Sequence, residues 1–279
     1  MDGDDRADGR TSRHALVDGH THIDQYGPAE LPQLLERSRN ASVALIIAAG
    51  TTIETCTAVR LLADIHPDVR AGIGLHPADL TGPMDDAIEA ELRALADHPG
   101  VVEWSETGLD YMPRSPRWDI QQDAFRRQIR LARELGLPIV FHSREASDDT
   151  VRILREEGAG EVGGAWHYFQ GSLALAQTAM DLGFHISLAK PLLRLPELQA
   201  VAAALPLERI VIETDSYPQP FKKNRERWTE PRHLPQVAAK LAELQETDFE
   251  TVAETTTGNY LRMLGGRVSA EELGIPAAP

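Results

Sequence analysis

Eight short apolar or β-branched runs recur along the chain, and longer stretches with helical periodicity separate them. The runs fall at 15–22, 42–49, 70–76, 101–108, 137–142, 164–169, 183–188 and 209–214. A strand that must run parallel to its predecessor needs a long crossover, which a helix supplies. The stretch DAFRRQIRLARELG shows the helical pattern: Phe125, Ile129, Leu131 and Leu135 lie on or near one face, and Gly136 stops it. LPELQAVAAALP, LPQVAAKLAELQE and the segment 248–264 read the same way. Eight such repeats predict a single (β/α)8 TIM barrel, an α/β fold. An open doubly wound sheet is the competitor, but no Gly-rich phosphate loop follows the first strand.

A chain of 279 residues is long enough for one such barrel, placed at 14–279. Residues 1–13, polar and rich in Asp and Gly, read as a disordered tail with no apolar stretch of the secretory kind. One cysteine excludes an internal disulfide and points to a reducing, cytoplasmic compartment. No apolar run is long enough to span a membrane, so no membrane partner is expected. The formal charge of −15 argues against a broadly basic nucleic-acid surface, although bound metal ions add positive charge that a residue count misses.

The stretch LVDGHTHIDQY puts His20, His22 and Asp24 on alternate positions at the end of the first run. Alternate residues of a strand share a face, and barrel active sites are assembled from strand ends. The same end of other runs carries His76, Glu106, His142, His167, Glu213 and Asp215. Any one of these histidines alone reads as an ordinary hydrogen-bonded residue, and Asp215 alone reads as a helix cap. Convergence changes the reading, since five strands deliver His20, His22, Glu106, His142, His167 and Asp215 to one mouth. Four imidazoles and two carboxylates exceed one tetrahedral site and fit two divalent ions about 3.5–4 Å apart. Zinc, manganese and magnesium all remain open as the metal.

These residues sit in motifs that resemble the TatD-type metal-dependent deoxyribonucleases, a branch of the amidohydrolase barrels. The motifs are DGHTHID, GIGLHP, SETGLDY, LPIVFHSREA, WHYFQGS, ERIVIETDS and TTTGNYLRML, covering about 16–264. The resemblance implies that His20, His22 and Asp215 hold one metal, that His142 and His167 hold the other, and that Glu106 bridges. The fourth-strand Glu106 matches this group, where related phosphotriesterase-like barrels often place a carboxylated lysine. Two motifs depart from the family: HYFQG stands where HCFSG or HCFTG is usual, and ETDSYPQP where ETDSP is usual. The following loop, FKKNRERWTEP, is also longer and more charged, so the departures bear on substrate shape rather than on the metals.

The expected reaction is phosphodiester hydrolysis, with Asp215 and Glu106 as catalytic carboxylates and His76 donating to a phosphate oxygen. A structural role for His76, steadying the turn before Pro77, has equal weight. DNA is the expected partner, as single strands or frayed 3′ ends. Arg114, Arg144, Lys222 and Lys223 would meet its phosphates, within a wider set of loop cations that includes Arg117, Lys190, Arg194, Arg225 and Arg227. Tyr111, Trp118, Tyr168, Tyr217 and Trp228 would stack on bases. The alternative is an amidohydrolase-type hydrolase of small esters, lactones or amides on the same metals, because fold alone does not choose the chemistry.

Overall fold

The computed structural model describes residues 15–274; the expected tail at 1–13 lies outside the described residues. The strands are β1 (Leu16–Thr21), β2 (Val43–Ala49), β3 (Val69–Ile73), β4 (Val101–Asp110), β5 (Ile139–Arg144), β6 (Gly164–Trp166), β7 (Phe184–Leu188) and β8 (Ile210–Ile212). They pair in parallel in that order, β1 to β8. The intervening helices are α1 (Leu31–Asn40), α2 (Ile53–Ile65), α3 (Asp86–Ala96), α4 (Trp118–Leu135), α5 (Ser147–Glu156), α6 (Leu173–Asp181) and α7 (Pro196–Ala204). After β8 come α8 (Leu234–Leu244) and an additional helix, α9 (Phe249–Met263). The fold is the (β/α)8 barrel that the alternation predicts.

Several strands are shorter than their apolar runs. β3 ends at Ile73, β6 at Trp166 and β8 at Ile212, so His76, His167, Glu213 and Asp215 stand just beyond strand ends. The apolar pattern continues there because the chain is still buried, although its backbone has left the ladder: Leu75, Phe169 and Thr214 are all inaccessible or nearly so.

Two apolar layers hold the barrel. Val17, Leu45, Ile47, Val102, Val140, Ala165 and Val211, from six different strands, form one buried cluster with Tyr260 and Leu264 near the end of the chain. Their modest size suits a barrel interior, where side chains from all sides share little space. The larger cluster includes Leu34, Phe125, Ile129, Phe141, Leu198 and Leu241, and joins strands to the helical shell. Fully burying a side chain such as Phe125 contributes roughly 2–3 kcal/mol. Gly136, with φ at 65°, supplies the left-handed cap that ends α4.

The β1–β8 seam is closed differently from the other strand pairs. One isolated parallel bridge joins Thr21 to Ser216. The His22 amide donates to Ser216 O at 2.8 Å, and the Asp215 amide to His20 O at 3.0 Å. Deeper in the seam a side chain replaces the ladder: Thr214 donates to buried Asp18 from its amide at 2.8 Å and from its hydroxyl at 2.6 Å.

Two buried glutamines on α4 fix neighbouring strand ends. Gln121 accepts from the Asp110 amide at 2.8 Å and donates to the Asp110 carbonyl at 2.7 Å. Gln128 accepts from the Leu75 amide at 2.7 Å and from the Trp104 indole at 3.1 Å, and it donates to Leu75 O at 3.1 Å. A buried amide satisfied on both sides is a rigid spacer. Here it sets the height of the residues that follow β3 and end β4.

Candidate metal centre

Glu106 is the centre of the site. It is 3% exposed, and its recorded ion-pair partners among the described residues are all histidines. Its two oxygens face different groups. Oε2 lies 3.4 Å from His20 Nε2 and 3.6 Å from His22 Nε2. Oε1 lies 3.3 Å from His142 Nδ1, 3.5 Å from His76 Nε2 and 3.6 Å from His167 Nε2. Asp215 Oδ1 stands 3.6 Å from His22 Nε2.

The second nitrogen of each imidazole decides what the first can do, because a carbonyl or carboxylate only accepts. His22 Nδ1 is 3.1 Å from Ala49 O, so it carries hydrogen and leaves Nε2 with a lone pair. His167 Nδ1 lies 2.8 Å from Glu213 Oε1, off hydrogen-bond alignment, and the carboxylate's charge favours hydrogen on that nitrogen. His142 is reversed: Nε2 faces Asp110 Oδ2 at 3.3 Å, and Nδ1 is the nitrogen turned toward Glu106. His76 differs from all three. Its Nδ1 accepts from the Ala78 amide at 3.1 Å, so its hydrogen sits on Nε2. Burial lowers His76 to about 4, which keeps it neutral. His76 therefore offers a donor to the site where the others offer lone pairs. It also caps the turn at Pro77–Asp79, the structural role expected of it.

The partners of these imidazoles are themselves held. Glu213 accepts from the Ser187 hydroxyl at 2.5 Å and from the Tyr168 amide at 2.8 Å. Asp110 accepts from the Met112 amide at 2.9 Å and the Ser115 hydroxyl at 2.7 Å. Burial opposes ionisation of Asp110, yet His142 and these donors keep it well below the usual carboxylate range. Carboxylates that hold the far nitrogen of a metal-binding histidine orient the ring and raise its basicity. Glu213 appears among the strand-end residues of the sequence, but Asp110 carries no signal in isolation. Its spacing was informative all the same: it stands four residues past Glu106, on the same face of an extended strand.

The site demands positive charge. Burial disfavours the Glu106 carboxylate, but His76 and His167 hold it ionised, well below the ordinary glutamate range. Against burial, Glu213 and Glu106 raise His167 to about 10. The second proton, on Nε2, stands in for a cation, and Nε2 offers its lone pair only once that proton leaves. His20 Nε2 is fully buried and has no hydrogen-bond partner among the described residues. Three groups of ligand atoms lie within 4.8 Å of one another: His20, His22 and Glu106; His20, His167 and Asp215; and His76, Glu106 and His142. Imidazole and carboxylate donors in this number fit borderline divalent ions. Asp24, in the turn Ile23–Gln25, belongs to none of these groups.

The mouth is a cavity of about 250 Å³ lined by these groups and by Gln25, Tyr168 and Tyr217. A neighbouring cavity of about 550 Å³ shares His142, His167 and Tyr168 and extends past Ser143, Arg144, Ser147 and Gln170. Tyr168 and Asp215 both adopt left-handed backbone, with φ of 48° and 49°. Such conformations cost roughly 1–3 kcal/mol and persist where surrounding bonds enforce them. Here the enforcing bonds are those from the two amides to Glu213 and to His20 O.

The loop cations divide into two sets. Arg225 pairs with Glu30 and Glu230 and lies over the Trp228 ring at 4.3 Å; Arg117 pairs with Asp119. Lys190 donates to Thr229, and Lys222 donates to Gln219 and Arg227 O. Among the described residues, Arg114, Arg144, Arg194, Lys223 and Arg227 have no recorded salt bridge. Of the aromatic residues, Trp118 is 57% exposed and stacks on Tyr111 at 4.3 Å. Trp228 is covered by Arg225, and Tyr168 and Tyr217 line the mouth.

A barrel whose mouth is arranged in this way is a metal-dependent hydrolase. A family profile described as TatD related DNase matches residues 17–265. The Bacillus subtilis metal-dependent hydrolase YabD, itself uncharacterized, is 37% identical over 256 residues, which is 89% of this chain and 98% of YabD. Escherichia coli YcfH, which carries the same description, is 34% identical over 89% of this chain and 95% of its own. The crystal structure of Escherichia coli YjjV, a TatD homologue, superposes with a TM-score of 0.82 at 28% identity, covering 90% of this chain and 98% of YjjV. The chain belongs to the TatD family.

Proposed function

We infer that this protein is a two-metal phosphodiesterase that removes nucleotides from single-stranded or frayed DNA ends. The observation that carries the reading is the division of Glu106, with Oε2 toward His20 and His22 and Oε1 toward His142 and His167. His20, His22, Asp215 and Glu106 Oε2 would hold one ion; His142 Nδ1, His167 Nε2 and Glu106 Oε1 would hold the other. The imidazole-rich set favours zinc or manganese over magnesium. Divalent ions bound there lower the pKa of an attacking water and neutralise charge on the phosphoryl oxygens.

The chain's own groups do the rest. Asp215 sits at the rim with its side chain 19% exposed, and it takes the proton of the attacking water. His76 donates from Nε2 to a phosphate oxygen, a role its hydrogen-bond pattern supports. Arg144 lies in the groove beside the mouth and meets the next phosphate, with Arg114, Lys223 and Lys222 further out. Lys222 contributes least in this scheme, because its ammonium already serves Gln219. Tyr168 and Tyr217 flank the mouth, where a narrow entry suits a strand end over intact duplex. A cytoplasmic setting belongs to the same reading, since the single cysteine, Cys56, is buried as a thiol.

One observation favours a second reading. The mouth itself holds only about 250 Å³, a size that also suits a small ester, lactone or amide. Turnover of a 5′-labelled single strand, compared with a panel of esters and lactones, separates the two. The nuclease reading expects release of mononucleotides by wild type and none by Glu106→Ala. Hydrolysis of the small esters with intact DNA left over would overturn it.

A further inference from the structure

Beneath the metal cluster runs a buried chain of polar groups that the reaction does not use. Ser105 Oγ lies 3.4 Å from His20 Nδ1. Glu103, two residues earlier on β4, is fully buried, and its Oε2 lies 2.6 Å from the Tyr260 hydroxyl. That hydroxyl is also 2.7 Å from Gly19 O on β1. Space for the chain comes from two glycines. A Cβ on Gly19 would stand 2.3 Å from Tyr260 Cε2. A Cβ on Gly72 would stand 2.7 Å from Ser105 Cβ and 3.1 Å from Glu103 Oε1. Glu103 Oε1 is buried without a close partner among the described residues, and Ser105 is a hydroxyl that bears on it.

We propose that Glu103 is a positioning residue of the metal centre: acting through the Ser105 hydroxyl, it holds His20 with hydrogen on Nδ1 and with Nε2 free. Counting donors gives the direction. The Tyr260 hydroxyl lies within reach of both Gly19 O and Glu103 Oε2 but has one hydrogen; we assign it to Gly19 O, and Glu103 Oε2 then carries the hydrogen of the other contact. Glu103 Oε1 is then a pure acceptor with no other partner among the described residues, and to it we assign the Ser105 hydrogen. Ser105 keeps only lone pairs for His20, which must donate from Nδ1. Every donor in the chain is used once. Burial, pushing Glu103 up to about 8, supplies the proton that the count requires at neutral pH. Without the Glu103 acceptor, Ser105 is free to donate to His20 Nδ1, and that moves the ring hydrogen onto Nε2, where it blocks ligation.

The inference rests on His20 being a metal ligand, as proposed above, and is independent of which ester is cleaved. The test uses the full-length protein, zinc alone as the probe and a competing chromogenic chelator to read affinity. Histidine tautomers in the metal-free protein are read by ¹⁵N NMR. Glu103→Leu and Ser105→Ala should each weaken zinc binding about 10-fold and shift His20 away from the Nδ1–H form. Glu103→Gln, whose amide oxygen still accepts from Ser105, should restore both readouts. A folded Glu103→Leu protein with unchanged zinc affinity and unchanged His20 tautomer overturns the proposal. If Leu prevents folding, Ser105→Ala decides by the same two readouts. His20→Ala separates the levels: unchanged zinc affinity there removes the metal-site reading itself. Weakened binding there, with Glu103→Leu and Ser105→Ala silent, removes only the role of Glu103.

Discussion

Replacing Glu103 by Gln gives a pH signature that follows from the burial of one carboxyl. Its pKa rises from 4.5 to about 8, because burial outweighs the support that neighbouring Tyr260 and Ser105 give the ionised form. Between those values the folded protein keeps a proton that the unfolded chain has released. The unfolded state binds fewer protons, so stability falls as pH rises through this window. Each pH unit inside it corresponds to about 1.4 kcal/mol. Between pH 5 and pH 8 the loss from this group alone is about 3–4 kcal/mol. Glutamine fills the same volume and does not titrate. Urea unfolding of wild type and Glu103→Gln at pH 5, 6, 7 and 8 isolates the term, since all other titrating groups are common to both. The variant should gain about 3–4 kcal/mol on wild type across the series. Parallel stability curves for the two proteins would refute the reasoning, because they would mean that Glu103 titrates alike folded and unfolded.

Further outcomes follow from other parts of the structure. Glu106→Ala removes the carboxylate that both histidine groups face, and should abolish bound metal in elemental analysis together with turnover. Gly19→Ala drives a methyl group into the Tyr260 ring and should destabilise by roughly 1–3 kcal/mol in thermal unfolding. Glu230 is buried and receives Arg37, Arg225 and Arg232. Those arginines are each about a third exposed and rehydrate in part, so Glu230→Ala should cost about 3 kcal/mol and speed tryptic cleavage at Lys222 and Lys223. Arg144→Ala should lower the salt dependence of single-strand binding by about 0.7 in the log–log slope, and Lys223→Ala by a similar amount; an unchanged slope for both removes their phosphate contacts.

The alternation of strand and helix was legible because each repeat must bury one apolar strand beneath one amphipathic helix, and both periods survive in the sequence. The cluster of candidate ligands was legible for a related reason: the fold gathers strand ends, so His20, His22, Glu106, His142, His167 and Asp215 could be grouped without knowing any distance. Roles depending on a second partner were not legible. His76 and His142 look alike as strand-end histidines, yet an amide at one Nδ1 and a carboxylate beside the other's Nε2 turn different ring nitrogens toward Glu106. Asp110 and Glu103 were missed because a lone carboxylate in an apolar run shows neither its burial nor its partner. The cationic loops look uniform in sequence, but Glu30 and Glu230, far away along the chain, engage Arg225 and leave Lys223 alone.

The way β1 meets β8 has a mechanical consequence. Elsewhere the staves of this barrel are laced edge to edge by backbone ladders, some with a local shift of register, but at one place the hoop is joined by Asp18, a single bridge and the two amide bonds beside it. His20 and His22 lie on one side of that joint and Asp215 on the other. An ion gripped by all three would act as a clasp, so emptying the site should loosen the cylinder at its thinnest join before any other part gives way.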